Sequence, residues 1–163
     1  YSALANGGRL FEPRLVEKVT EFDGEEVFVN EPAVIRQAVS AETSERVKKI
    51  LRATVEKGTG KPADVPGYSV AGKTGTANKI DPRTGKYMTG RNVTSFAGFF
   101  PLKEPQYTIL VVVDNPKGRT YGGEVAAPAF KEIASKIITH KGLKPDLPLP
   151  PRGRAGREPK ITD

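Results

Sequence analysis

The chain has 163 residues, 37% of them hydrophobic, which is enough for one buried core and within the range of a single domain. With no cysteine it has neither disulfides nor thiolate metal sites, and with His140 as its one histidine and no His/Asp/Glu cluster it lacks the ligand set of a zinc enzyme. The formal charge of +7 reads as solvated surface and not as a nucleic-acid face, because no aromatic-interleaved basic stripe accompanies it; from Lys141 onward six Lys/Arg stand against three Asp/Glu.

In chain order, Tyr1–Asn6 reads as part of a helix running into Gly7-Gly8, with no initiating Met, so the chain is expected to be cut from a longer protein. No stretch approaches the roughly 18 apolar residues of a membrane span, and nothing at the start reads as a signal peptide; an anchor or export signal is expected upstream. Arg14–Phe22 and Glu25–Val29 flank Asp23-Gly24, a strong hairpin signal, bounded by Pro13 and Pro32. Ser40 or Thr43 then caps a helix reaching about Lys57, with Val47, Ile50, Leu51 and Thr54 at helical spacing and Gly58 and Gly60 ending it. Thr54-Val-Glu-Lys57 has Thr-x-x-Lys spacing, but inside an ordinary amphipathic helix it carries little weight as a nucleophile.

The stretch Tyr68-Ser-Val-Ala-Gly-Lys-Thr-Gly-Thr-Ala-Asn78 reads as a strand whose small residues Ala71, Gly72 and Gly75 leave one face nearly bare. Alternation puts Lys73 and Gly75 on one face and Thr74 and Thr76 on the other, and a twist or bulge near Gly75 would bring them to a common cleft. A polar loop, Lys79–Lys86, follows. Val93–Phe100 reads as a second strand, and Ile109-Leu-Val-Val-Val113 within Gln106–Asp114 as a central strand covered on both faces. After the connection Asn115–Gly123, the strongest helix runs from Val125 to about His140, with Ala126, Ala127, Phe130, Ile133, Ala134, Ile137 and Ile138 on one face. Residues 144–163, rich in Pro and Arg, read as a flexible tail behind a folded unit of residues 1–143. No internal repeat is visible. The element order and the short connections predict an α+β fold with a mostly antiparallel sheet.

Lys73-Thr-Gly75 is one of three motifs of penicillin-recognising serine enzymes. Four stretches in order, Tyr1–Gly8, Gly67–Ala77, Thr94–Pro101 and Tyr121–Phe130, make residues 1–143 similar to the C-terminal half of the transpeptidase domain of class B penicillin-binding proteins, of division and sporulation type. The resemblance implies the penicillin-binding transpeptidase/serine β-lactamase-like fold, a five-stranded antiparallel sheet flanked by helices, of which this chain is part. The activity implied is acyl transfer: a serine attacks the D-Ala-D-Ala end of a peptidoglycan stem peptide, and β-lactams acylate the same serine. No cofactor is implied. Lys73 is then the cation toward the substrate carboxylate and the serine hydroxyl network. Thr74 offers that carboxylate a hydroxyl, Gly75 permits close approach, and Thr76 supplies the oxyanion-hole N–H. Tyr121 is the aromatic wall of the acyl pocket; the family has two aromatics there, and Thr120 stands in the other's place.

The chain has no Ser-x-x-Lys and no Ser-x-Asn. The nucleophile, its lysine and the middle motif are therefore expected in an upstream segment of the same protein, and this chain alone is expected to be inactive. Partners implied are that segment, the stem peptide, β-lactams, a membrane glycosyltransferase and division proteins, with no nucleic acid. The implied location is the extracytoplasmic face of the bacterial cell membrane. Two other readings stand beside this one: a β-lactamase or β-lactam sensor of the same fold, and a non-catalytic basic binding module.

Overall fold

A computed structural model describes residues 1–149. Its helices form where capping and spacing direct them. Helix α2, Ala41–Lys57, starts at Ser40, whose hydroxyl accepts the N–H of Thr43 at 3.1 Å, with Glu42 in the first turn and Lys57 in the last. Its buried line is Ser44, Lys48, Leu51 and Val55; Ile50, expected on that line, points to solvent. Ser44 donates to the carbonyl of Leu4 at 2.6 Å, which fixes the short helix α1, Ser2–Ala5, against α2.

Four short strands lie between α1 and α2. β1, Arg9–Phe11, pairs with β4, Val34–Gln37, and β2, Lys18–Thr20, pairs with β3, Glu26–Val29. The β2–β3 hairpin is the one its Asp23-Gly24 turn predicts, and Gly24 adopts φ +92° there. The β1–β4 pair was not legible, because each strand has only three or four residues and its partner lies more than twenty positions away.

The main sheet has three antiparallel strands in the order β5-β6-β7: Ala71–Ile80, Tyr87–Phe100 and Tyr107–Asp114. Helix α3, Ala126–Lys141, covers one face through Phe130, Ala134 and Ile138, against Phe96, Phe100 and Val70. Phe130 meets Phe96 edge-on, with ring centroids 4.8 Å apart. Leu51 of α2 and Ala5 of α1 cover the other face at Ala71 and Phe99. This is the α+β, helix-flanked antiparallel architecture the sequence predicts.

Two expectations are corrected. β7 is not a central strand covered on both faces. It is the edge strand of the described sheet, with Tyr107, Ile109 and Val111 turned toward α3 while Leu110 and Val112 are 65% and 54% exposed. A continuous apolar run states only that neither face repels cover, and which face receives it depends on what packs there. The folded part also extends beyond the expected boundary at residue 143: the N–H groups of Asp146 and Leu147 both donate to the carbonyl of Gly67 at 3.1 Å. Residues 150–163, the rest of the expected tail, lie outside the described residues.

Candidate active site

β5 carries the site because it is an edge strand of the described sheet. The carbonyl of Gly72 faces away from β6 and accepts the hydroxyl of Thr54 from α2. N–H and C=O of one residue point the same way in a strand, and the direction alternates along it. The backbone groups of Thr74 and Thr76 therefore also face outward, as groups of the kind an extended peptide pairs with.

No bulge interrupts β5 at Gly75. The ladder with β6 is regular from Ala71 to Asn78, pairing Lys73 with Ala97, Thr74 with Phe96, Gly75 with Ser95 and Thr76 with Thr94, and its first irregularity falls between Asn78 and Ile80. Lys73 joins Thr74 by another route. Its long side chain curls around the strand edge, and Nζ donates to the Thr74 hydroxyl at 3.1 Å and to the Thr74 carbonyl at 3.0 Å. Among the described residues no carboxylate pairs with Lys73, so its charge is available to an anion.

Thr74 and Thr76 open into a cleft of about 380 Å³ together with Thr59, Pro62, Tyr121 and Gly122. The hydroxyls of Thr59 and Thr74 lie 2.9 Å apart, and the N–H of Gly122 donates to the Thr76 hydroxyl at 3.2 Å. Gly75 stands between Thr74 and Thr76 in the strand, where a Cβ would come within 2.5 Å of Ser95 Oγ. Gly122 is equally constrained: a Cβ there would come within 2.6 Å of the Ser95 carbonyl and 2.7 Å of the Gly75 carbonyl. The connection before α3 is thus pressed onto β5 and β6, and that contact forms the second wall of the cleft. Tyr121, 67% exposed, stands at its rim.

The structure therefore brings Thr74, Thr76 and Tyr121 to one cleft, sets Lys73 at its edge through the Thr74 hydroxyl, and leaves Gly75 in the strand between the two threonines, outside the lining. Sequence reasoning missed Thr59 and Glu124, which also line it. The signal for Thr59 was its place between the helix-ending Gly58 and Gly60; Glu124 carries none, since an acid opening a helix is usually a dipole partner. The site offers one cation, hydroxyl donors and outward backbone amides, which suits a carboxylate beside a peptide carbonyl. Among the described residues no group of three His, Asp or Glu side chains is arranged to hold a metal ion.

Comparison with known proteins agrees with this geometry. A family-wide sequence model described as penicillin binding protein transpeptidase domain matches residues 1–135. Stage V sporulation protein D of Bacillus subtilis is 39% identical over 146 residues, covering 88% of this chain and 22% of the relative. The peptidoglycan D,D-transpeptidase FtsI homolog of Mesostigma viride is 32% identical over 161 residues, covering 91% of this chain and 27% of the relative. The crystal structure of penicillin binding protein 3 from Mycobacterium tuberculosis complexed with ampicillin superposes with a TM-score of 0.78 at 36% identity, covering 93% of this chain and 35% of that one. The chain thus spans about a quarter of the length of these curated relatives. With the Lys73–Thr76 strand, the Tyr121–Gly123 wall and the sheet between α2 and α3 in place, the chain belongs to the penicillin-binding protein transpeptidase domain family, in its class B branch of division and sporulation proteins.

Proposed function

We propose that this chain is the substrate-binding C-terminal part of a serine D,D-transpeptidase that cross-links peptidoglycan stem peptides. The observation that carries the reading is the meeting of Lys73, Thr74 and Thr76 on the open edge of β5, facing Tyr121 across one cleft. The substrate's extended D-Ala-D-Ala end lies along that edge. Its terminal carboxylate is bound by the Lys73 ammonium and the Thr74 hydroxyl through charge-assisted hydrogen bonds.

The nucleophilic serine and its lysine belong to the upstream part of the same polypeptide, since this sequence has no Ser-x-x-Lys. The serine oxygen bonds to the penultimate D-Ala carbonyl carbon, giving up its proton to the lysine network to which Lys73 contributes. The outward N–H of Thr76 stabilises the oxyanion, a donor whose loss typically costs about 2.7–4 kcal/mol. Collapse breaks the peptide bond to the last D-Ala, which leaves as the protonated amine. An amine of a second stem peptide then attacks the acyl-serine, forming the cross-link and restoring the hydroxyl. A β-lactam enters the same cleft as a mimic of the dipeptide, a role supported by the ampicillin complex of the Mycobacterium tuberculosis relative.

The complete protein is placed at the cell membrane with this domain on the extracytoplasmic face and its anchor outside the present chain; among the described residues no helix is long and apolar enough to cross a membrane. Labelling with a fluorescent penicillin tests the assignment. The chain alone remains unlabelled, and the full-length protein is labelled at a serine upstream of Tyr1. Label on a serine of this chain, or none on folded full-length protein, refutes it.

A further inference from the structure

The entry to the active strand is tied down by the far end of the chain. Helix α3 stops at Gly142, whose φ of +61° turns the backbone into a segment that crosses the foot of β5. Tyr68 Oη donates to the carbonyl of Leu143 at 2.7 Å, while the Asp146 and Leu147 N–H groups converge on the carbonyl of Gly67. The Asp146 carboxylate then takes both donors of one residue: Oδ1 accepts the N–H of Ser69 at 2.8 Å and Oδ2 accepts the Ser69 hydroxyl. That hydroxyl in turn accepts the N–H of Leu102, from the β6–β7 connection, at 2.8 Å. Three segments, 33 and 77 residues apart from Ser69 or joined through it, meet on a side chain that is 4% exposed.

We propose that Asp146 is a positioning residue for acyl transfer, setting where β5 begins and therefore where Lys73, Thr74 and Thr76 stand. This rests on the substrate-binding role proposed above for those three residues. Ser69 lies two positions before β5 begins at Ala71 and four before Lys73, in a tight turn closed by the Val70 N–H donating to the Tyr68 carbonyl at 3.1 Å. The intervening backbone gives little room to absorb a shift: Val70 and Ala71 are fully buried, the Val70 carbonyl accepts from Arg52 at 2.9 Å, and the Gly72 carbonyl is held by Thr54. Two charge-assisted hydrogen bonds accepted by one carboxylate fix both the backbone and the side chain of Ser69. A neutral contact at the same place fixes neither as firmly. Displacement at Ser69 is thus carried along the strand to the groups that contact substrate.

The test compares Asp146→Ala, Asp146→Asn and Ser69→Ala in the full-length protein. Acylation by a fluorescent penicillin is resolved into the dissociation constant of the reversible complex and the first-order acylation constant, with circular dichroism establishing the folded fraction. Asp146→Ala is expected to lower the acylation constant at least about ten-fold while folded, because a misplacement near 1 Å costs up to about a hundred-fold. Asp146→Asn keeps an acceptor for the Ser69 N–H and loses the one for its hydroxyl, so it falls between wild type and Asp146→Ala. Adding Ser69→Ala to Asp146→Ala costs less than the product of the single effects. A lowered melting point with a wild-type acylation constant in the folded fraction overturns the proposal. Should Asp146→Ala not accumulate as folded protein, Asp146→Asn decides on the same criterion. Lys73→Ala run in parallel separates the two claims: full acylation in that variant refutes the strand's assigned role, whereas its loss beside unaffected Asp146 variants refutes the positioning alone.

Discussion

Replacing Gly122 by Ala tests whether the contact between the two cleft walls sets the reactive geometry. The added methyl would sit 2.6 Å from the Ser95 carbonyl and 2.7 Å from the Gly75 carbonyl, both backbone atoms of the paired strands β5 and β6. These distances fall about 0.8 Å short of the 3.4 Å at which ordinary contact begins, and neither neighbour is a flexible side chain that can swing aside. The Tyr121–Gly123 segment must therefore lift off β5 by several tenths of an ångström, breaking the 3.2 Å hydrogen bond from Gly122 N–H to Thr76. Overpacking of this kind costs about 1–3 kcal/mol of stability. A displacement approaching 1 Å beside Thr76 is expected to slow acylation roughly 10- to 100-fold. Fluorescent-penicillin kinetics on full-length Gly122→Ala, read against its thermal melting, measures both. Wild-type acylation with unchanged melting would show that the walls move independently, and the reasoning fails.

Three further predictions concern single side chains. Lys73→Ala in the full-length protein reduces acylation by more than about a hundred-fold while circular dichroism stays as in wild type, since the side chain is exposed and no carboxylate among the described residues pairs with it; acylation at the wild-type rate would remove Lys73 from the mechanism. Tyr121→Ala, at the exposed rim, changes penicillin affinity several-fold with little effect on stability, and an inhibitor profile identical to wild type counts against its place in the acyl pocket. Phe130→Ala removes a fully buried ring that meets both Phe96 and Phe100, and should cost about 3–5 kcal/mol in chemical denaturation; a loss under 1 kcal/mol would mean that the α3–sheet contact is not the main core.

Local patterns already determined much of this protein from the sequence alone. Ser40 and Gly58 bound α2, Asp23-Gly24 forces a hairpin, and the spacing of Phe130, Ala134 and Ile138 places α3 on a core, because each signal acts within a turn or two of backbone. The Lys73-Thr-Gly-Thr76 run, in order with three other stretches, was sufficient to indicate the family. What lay beyond the sequence were contacts between distant segments. The run Ile109–Val113 has the same composition whether one face or two are covered, so the solvent exposure of Leu110 and Val112 was decided by packing. Alternation separates Lys73 from Thr74, and only the curl of a long flexible side chain around an unpaired strand edge reunites them. Asp146 reads as one acid in a Pro-rich stretch; its role as the anchor of Ser69 exists only because α3 returns the chain to the foot of β5 across 77 residues. Periodicity reports which face a residue turns to, and tertiary structure alone decides what it meets there.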